Sequence, residues 1–235
     1  MQNTVSKQRF GSLKKVVSSN SIVLVVIVMI IAGTFAEGSQ FLSFQNFMNI
    51  LRNHAVIGII ALGMSFVIIS GNIDLSVGAQ MVAVAAITVS FVNSTGNIVM
   101  GLILGILAGC AMSTVTGIIV TKGRVPSFIV TLGMQYIYRS LCMFYMQGGG
   151  FYLDKTKAPF YTQISNYMLF GKIPMPVVYY ALMFLLFWFI SRYTKLGRHI
   201  YAVGSNEKAT KLSGINTDKI KILAFTLMGL AISVA

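Results

Sequence analysis

The sequence predicts an all-α, polytopic, membrane-embedded helical bundle, and three observations carry that prediction. Hydrophobic residues make up 56% of the 235-residue chain and charged residues only 10%, against about 25% charged in a soluble domain. The apolar residues fall into seven candidate membrane segments, 18–36, 55–70, 77–92, 98–120, 128–146, 176–191 and 222–235. The bases, finally, sit in short clusters between these runs. A helix needs about 20 residues to cross the hydrocarbon core, so 55–70 and 77–92 are short. The chain is expected to be one transmembrane domain over 1–235. Its last run stops at Ala235 without a polar flank, so an incomplete C-terminal end is expected.

Lys7, Arg9, Lys14 and Lys15 precede an apolar stretch from Ile22 to Phe35, as in a signal peptide. No clean small-x-small cleavage site follows, and further apolar runs come later, so the stretch reads as an uncleaved first membrane helix. Bases in short loops mark the cytoplasmic side. The N-terminal tail, Lys122 and Arg124, and the group Arg192, Lys195, Arg198, Lys208, Lys211, Lys219 and Lys221 all lie inside when the N-terminus is cytoplasmic and 55–92 crosses an even number of times. Loop 147–175, with Lys155, Lys157 and Lys172 partly offset by Asp154, then falls outside and fits the rule least well.

Phe44, Phe47, Met48 and Leu51 recur at helical spacing opposite Gln45, Asn46, Asn49 and Arg52, which predicts a short amphipathic helix in the outer interface, capped by Ser43. Gly101, Gly105, Gly109, Ser113 and Gly117 place a small residue every four positions. That stripe predicts close helix packing.

The net charge of +13 could suggest nucleic acid, but no aromatic-interleaved basic stripe accompanies it. Cys110 and Cys142 lie inside apolar runs and read as small hydrophobes. His54 and His199 are lone histidines without ligand spacing. No metal site, cofactor loop, nucleophile–base pair or acid cluster is present in the pattern, so no enzyme chemistry and no cofactor are expected. Asn93-Ser94-Thr95 matches a glycosylation pattern too short to carry weight. Gly148-Gly149-Gly150 reads as a flexible outer turn.

Two local features stand out. The first is Ser70-Gly71-Asn72-Ile73-Asp74-Leu75-Ser76-Val77-Gly78, between two short apolar runs. Asp74 could cap the helix that follows, with Gly71 supplying a permissive backbone. The stretch is either a tight cytoplasmic turn or a break at membrane depth, which lipid tolerates only where protein buries it or water lines it. Arg139 lies near the middle of 128–146, where a charge costs roughly 2.5–3.5 kcal/mol. It either pairs with a deep Asp74 or snorkels to the outer headgroups. Asn72, Asp74, Ser76 and Arg139 are the candidates for a translocation path.

The second feature is the loop Gly197 to Ile215. Ser205 as N-cap, Glu207 in the first turn, Lys211 in the last and Gly214 at C′ predict a separate helix of about two turns, roughly 12 Å long. A capped loop helix suits docking to a cytoplasmic partner, and the plain alternative is a helix lying on the membrane surface.

Both features resemble the permeases of bacterial ATP-binding-cassette importers for ribose, xylose, galactose and related solutes. Ala61 to Gly78 is similar to the family's "ALGMTFVI-GGIDLSVG" stretch, with Asn72 where a second glycine is usual. Thr121 to Gly133 resembles its next cytoplasmic turn. Gly197 to Ile215 resembles its "GR-IYA-GGNE-AA-LSGI" segment, with Ser205 replacing a glycine, and Lys219-Ile220-Lys221-Ile222 points to the ribose branch. The resemblance implies a permease in the bacterial inner membrane, paired with a second permease copy. It also implies an ATPase subunit below and an extracytoplasmic solute-binding protein above. It makes Gly204, Asn206, Glu207, Ala209, Ser213 and Gly214 the ATPase-coupling surface. Family members run well past 300 residues, so a chain ending at Ala235 is expected to lack the last few helices and not to transport.

A secondary transporter or channel without an ATPase is the contrasting reading, and it would want intramembrane acids or histidines for ion coupling; Asp74 is almost the only one on offer. A branched-chain amino-acid permease is the alternative within the same class. An intramembrane enzyme would need paired catalytic side chains, which are not visible.

Overall fold

The computed structural model describes residues 21–147, 149–154 and 156–235. Lys7, Arg9, Lys14 and Lys15, the start of the 18–36 run, Gly148 and Lys155 lie outside the described residues. The chain divides into two compact units, Met1–Ile50 and Leu51–Ala235.

In the first unit, helix α1 (Ser21–Glu37) is apolar on every side and its aliphatic side chains from Ile22 to Ile31 are exposed. A helix without a polar face is a membrane span or a buried helix. A short 3₁₀ turn, Gly38–Gln40, follows. Ser43 Oγ then accepts from Asn46 N at 3.2 Å, and Asn46 Nδ2 donates to the Phe41 carbonyl at 2.8 Å. The capping role expected of Ser43 is therefore present. The separate interface helix is not. Helix α2 runs unbroken from Phe44 to Ile69, 26 residues, because nothing between Leu51 and Ala55 breaks the helical pattern. The segment expected to be short is thus a long one.

In the second unit, α3 (Val77–Thr95), α4 (Ile98–Gly123), α5 (Ser127–Tyr145), α7 (Met175–Tyr193), α8 (Lys195–Ser205), α9 (Glu207–Leu212) and α10 (Thr217–Val234) pack together with the rest of α2. Between α5 and α7 lie a one-turn helix α6 (Gln163–Asn166) and a minimal antiparallel pair, β1 (Met168–Leu169) with β2 (Ile173–Pro174). That hairpin is the one departure from an all-α chain among the described residues.

Among the described residues, five stretches are long and apolar enough to cross a membrane: Ile22–Gln40, Phe44–Ile69, Val77–Thr95, Ile98–Gly123 and Met175–Tyr193. The expected segments 128–146 and 222–235 do form helices, α5 and α10, but they are less apolar. Gln135, Arg139 and three tyrosines (Tyr136, Tyr138 and Tyr145) dilute α5, and α10 opens with Asp218, Lys219 and Lys221. Helix α10 is largely buried among its neighbours, whereas α5 buries one face, Val130, Thr131, Met134, Tyr138 and Cys142, and exposes the rest.

The centre is built on α4, which packs most extensively against α10 and next against α3. The small-residue stripe makes this approach possible. A Cβ on Gly117 would stand 2.9 Å from Phe225 Cβ, and one on Gly109 would stand 2.9 Å from the Gly229 carbonyl oxygen and clash with Ser233. Gly101 and Gly105 make room in the same way for Val92 and Thr88 of α3. In lipid, where apolar burial gives little drive, such close packing is what holds helices together. Helix α10 borders two buried clusters. Phe225, Met228 and Ile232 join Val67, Val84, Val120 and Met134, while Ile220, Ala224 and Ala231 join Ile59, Phe66, Phe187 and Ile200. Phe66 and Phe187 meet edge to face with ring centres 5.2 Å apart.

Contacts sort the connections of this unit onto two ends. At one end, Gly71, Asn72, Arg124, Pro126, Lys211 and Lys221 line a common cavity. This is the basic end. At the other, Arg52 donates to Asn166 at 2.9 Å and Asn93 bonds Tyr152 and Asp154.

Replacing Gly229 with Val should push α10 off α4 and cost roughly 1–3 kcal/mol. Gly133→Ala, where a Cβ meets nothing within 4 Å, should cost almost nothing. Thermal unfolding of the two variants in detergent checks this.

Candidate functional site

At the basic end the chain leaves the helix at Ile69, turns at Gly71 (φ 81°) and runs without helical structure to Ser76 before α3 begins at Val77. The geometry combines the two expected readings. The turn lies at the basic end, since Asn72 shares a cavity with Val120 and Thr121. The polar residues that follow lie deeper, since Gln80 is bonded to Ser113, well inside α4. Helix α4 is 26 residues long and α3 only 19, about 39 and 28 Å. The non-helical residues 72–76 that precede α3 make up part of this difference.

Part of this non-helical backbone is held by side chains of the neighbouring helix. Ile73 N donates to Ser127 Oγ at 3.1 Å and the Ile73 carbonyl accepts from Thr131 Oγ1 at 3.4 Å, so the first two turns of α5 take up both groups. Asn72 Nδ2 donates to Ser70 Oγ at 3.1 Å. Asp74, 1% exposed, accepts from Ser76 N at 2.9 Å and Ser76 Oγ at 2.5 Å, with Gln80 Nε2 at 3.4 Å on its other oxygen. Gln80 Nε2 also donates to Ser76 Oγ at 2.6 Å, and its Oε1 accepts from Ser113 Oγ at 2.6 Å. Among the described residues, no buried side-chain polar atom lacks a partner.

One expectation changes here, and one of the two readings of Arg139 drops out. Asp74 does not cap α3; it sits two residues before the N-cap, Ser76, and holds that residue's amide and hydroxyl. Arg139 does not pair with Asp74, whose partners are Ser76 and Gln80; it lines a separate cavity with Gln135 and Gly78.

The second constellation is the loop helix. Its cap is Asn206, whose Oδ1 accepts from Ala209 N at 2.9 Å, and not Ser205, which ends α8. The cap moved because α8 occupies the chain up to Ser205; the spacing of Leu196, Ile200 and Val203 was the signal for it. Helix α9 consequently has six residues, about 9 Å. Glu207 in its first turn, Lys211 in its last and Gly214 beyond its end (φ 81°) stand as expected. Two contacts tie α9 to the bundle. Thr210 Oγ1 donates to the Ala202 carbonyl of α8 at 2.9 Å. Glu207 Oε1 meets Lys221 Nζ of α10 at 2.8 Å. Helix α8 in turn bears on the start of the break, where Gly204 lies so close to the Ile69 carbonyl that any side chain would collide with it. The loop helix therefore leans on α8 and α10, and reaches the break only through α8. Of the coupling candidates, Ala209 and Ser213 lie on or beside α9, and the Ser213 hydroxyl bonds back to Ala209.

A family model described as the permease component of the branched-chain amino acid transport system matches residues 46–233. The chain belongs to this permease family. The permease is 36% identical over 235 residues to the ribose import permease protein RbsC of Escherichia coli (strain K12), covering 99% of this chain and 72% of the relative. It is 31% identical to the xylose transport system permease protein XylH of Haemophilus influenzae, over 95% of this chain and 75% of the relative. Identity to the L-arabinose permease protein AraH of Azospirillum brasilense is 29%, over 94% and 63%. No solved structure matches the chain. The permease is thus a transport component of the membrane, and its relatives carry the names of sugar import systems.

Sequence reasoning passed over Gln80, Ser113, Ser127 and Thr131, which hold the break, and Lys221, which holds Glu207. Gln80 was a lone polar residue in an apolar run, which is its signal; Ser113 was counted only as small.

Asp74→Ala should leave the Ser76 amide, its hydroxyl and Gln80 short of an acceptor, at about 1–3 kcal/mol for each buried group stranded. Asp74→Asn keeps one acceptor oxygen and should lose clearly less. Melting temperature and protease resistance of the two variants test the order.

Proposed function

We propose that the chain is the membrane permease of an ATP-driven importer for a ribose-like monosaccharide, and that α9 receives the motion of a separate ATPase. The observation that carries this reading is the anchoring of α9 to α10 through the Glu207–Lys221 ion pair and to α8 through Thr210, with α8 packed on the helix break at Gly204, on a chain whose relatives are named sugar import permeases. A helix that only turned the chain round would not need an ion pair and a side-chain bond to its neighbours.

On this reading the basic end faces the cytoplasm, as the charge rule requires, and the N-terminus is cytoplasmic. Helices α1, α2, α3 with its extended lead, α4, α5, α7 and α10 make seven crossings. Gly204, Asn206, Glu207, Ala209, Ser213 and Gly214 form the ATPase-coupling surface. A second permease copy closes the path, a solute-binding protein delivers sugar at the opposite end, and lipid surrounds the apolar helices. Asn72, Asp74, Ser76 and Arg139 belong to the path or its gate. Of these, Arg139 borders a cavity at membrane depth, and the buried Asp74 and Ser76 set the position of the wall facing it.

Motion enters at α9 and has two ways on. Glu207 passes it to Lys221 and so to α10, which meets α4 backbone to backbone at Gly229 and Gly109. Asn206 and Thr210 pass it to α8, whose Gly204 bears on Ile69. Nucleotide can drive this only by favouring one packing over another through its differential affinity.

Glu207→Lys is expected to uncouple ATP hydrolysis from uptake in the reconstituted importer. The exchange Glu207→Lys with Lys221→Glu should restore part of the coupling, because it rebuilds the ion pair. Uptake that proceeds with no ATPase present would overturn the reading. A solute panel including branched-chain amino acids decides the substrate class.

A further inference from the structure

Between α3 and α5 lies a cavity of about 460 Å³ that neither the helix break nor the coupling surface uses. We propose that this cavity is the subsite in which a neutral monosaccharide is held during its crossing, with Gln135 and Arg139 bonding its hydroxyls; this rests on the permease reading above.

Depth is the first argument. Helix α5 runs for 19 residues from Ser127 at the basic end, about 28 Å, and Gln135 is its ninth residue. Arg139 follows one turn later on the same face, the spacing at which side chains lie side by side. Arg139 is exposed on this chain, and a charged side chain at such depth is stabilised where it faces water, a partner or a passing solute instead of hydrocarbon. The second argument is space. The facing wall is the first turns of α3, Gly78 and Ala79, and a Cβ added at Gly78 would meet nothing within 4 Å. The volume lies within the range of about 300–1,000 Å³ that small-molecule sites occupy.

Chemistry is the third. Arg139 offers five N–H donors, and Gln135 offers both donors and an acceptor. No acid lines the cavity, so a solute rich in acceptor oxygens, without positive charge, complements it. Met143 and Met146 close the far part of the lining with flexible apolar surface suited to the C–H face of a sugar ring. The other cavities of this unit fit less well. The one at the basic end carries Glu207 and Asp218 and opens beside the coupling helix. The neighbouring cavity at Ile87, Met112 and Leu141, about 270 Å³, is almost wholly apolar.

The wall opposite Arg139 is also placed by the buried network. Gln80 lies one residue beyond Ala79 and is pinned to Ser113 and Ser76. Gln80 is therefore a positioning residue for the subsite, acting from behind it.

The test uses the intact importer in proteoliposomes, supplied with ATP, binding protein and, in turn, ribose, xylose, arabinose or the acidic analogue gluconate. Arg139→Gln is expected to lower maximal uptake of the preferred neutral sugar about ten-fold, as loss of a hydrogen bond to a charged group would, and Arg139→Lys to retain part of it. In a Cys110→Ser, Cys142→Ser background, Gln135→Cys should react with a small thiol reagent, and saturating sugar should slow that reaction about five-fold. If wild-type importer carries one of the sugars, yet Gln135→Ala and Arg139→Gln carry it at the wild-type rate and sugar does not slow labelling of the Gln135→Cys variant, the subsite is wrong and the permease reading stands. Preferred uptake of gluconate would overturn the neutral-sugar assignment. No uptake of any sugar by wild type would overturn the sugar-permease reading itself. Should Arg139→Gln fail to insert, Arg139→Lys and the labelling experiment decide.

Discussion

Between Gly71 and Ser76 the main chain gives up helical bonding where α4 and α5 continue beside it, and the packing at the basic end of this permease depends on how that stretch is held. Ser127 and Thr131 of α5 take up the amide and carbonyl of Ile73, and the chain of Asp74, Ser76, Gln80 and Ser113 reaches α4. Three helices are joined at one non-helical segment by side chains shorter than four carbons. The carboxylate of Asp74 is stabilised by donors and not by an opposite charge, which leaves the two basic turns nearby free of it.

How far this was legible in the sequence differs from feature to feature. The helical class and most segment positions followed from the apolar runs, because lipid leaves few alternatives to a helix. The boundary at Phe44 was missed, since an amphipathic turn can begin a long crossing as easily as it can stand alone. The loop helix was foreseen, but its cap was placed one residue early, because Ser205 and Asn206 are both good caps and only the presence of α8 decides between them. The break was recognised from Gly71 and Asp74, while its depth was not. Depth depends on partners such as Ser113 and Thr131, thirty or more residues away, whose hydroxyls look ordinary in an apolar run.

The same distinction explains Arg139. From the sequence its charge needed a partner, and Asp74 was the obvious carboxylate. In the fold, Asp74 is already satisfied, and Arg139 stands across a cavity from small residues of α3. A buried acid and an exposed base need not answer one another when the acid's partners are hydroxyl, amide and backbone donors.

Helix α10 has a further consequence. With α2 it forms a party wall between two interior compartments, one shared with α3, α4 and α5 and the other with α7 and α8. Because protein interiors are close-packed, such a wall cannot lean into one room without opening gaps in the other. Half-shifted arrangements lose contacts on both sides, so the bundle should rest in one of a few well-packed states and pass quickly between them. Graded displacement is thereby turned into a toggle.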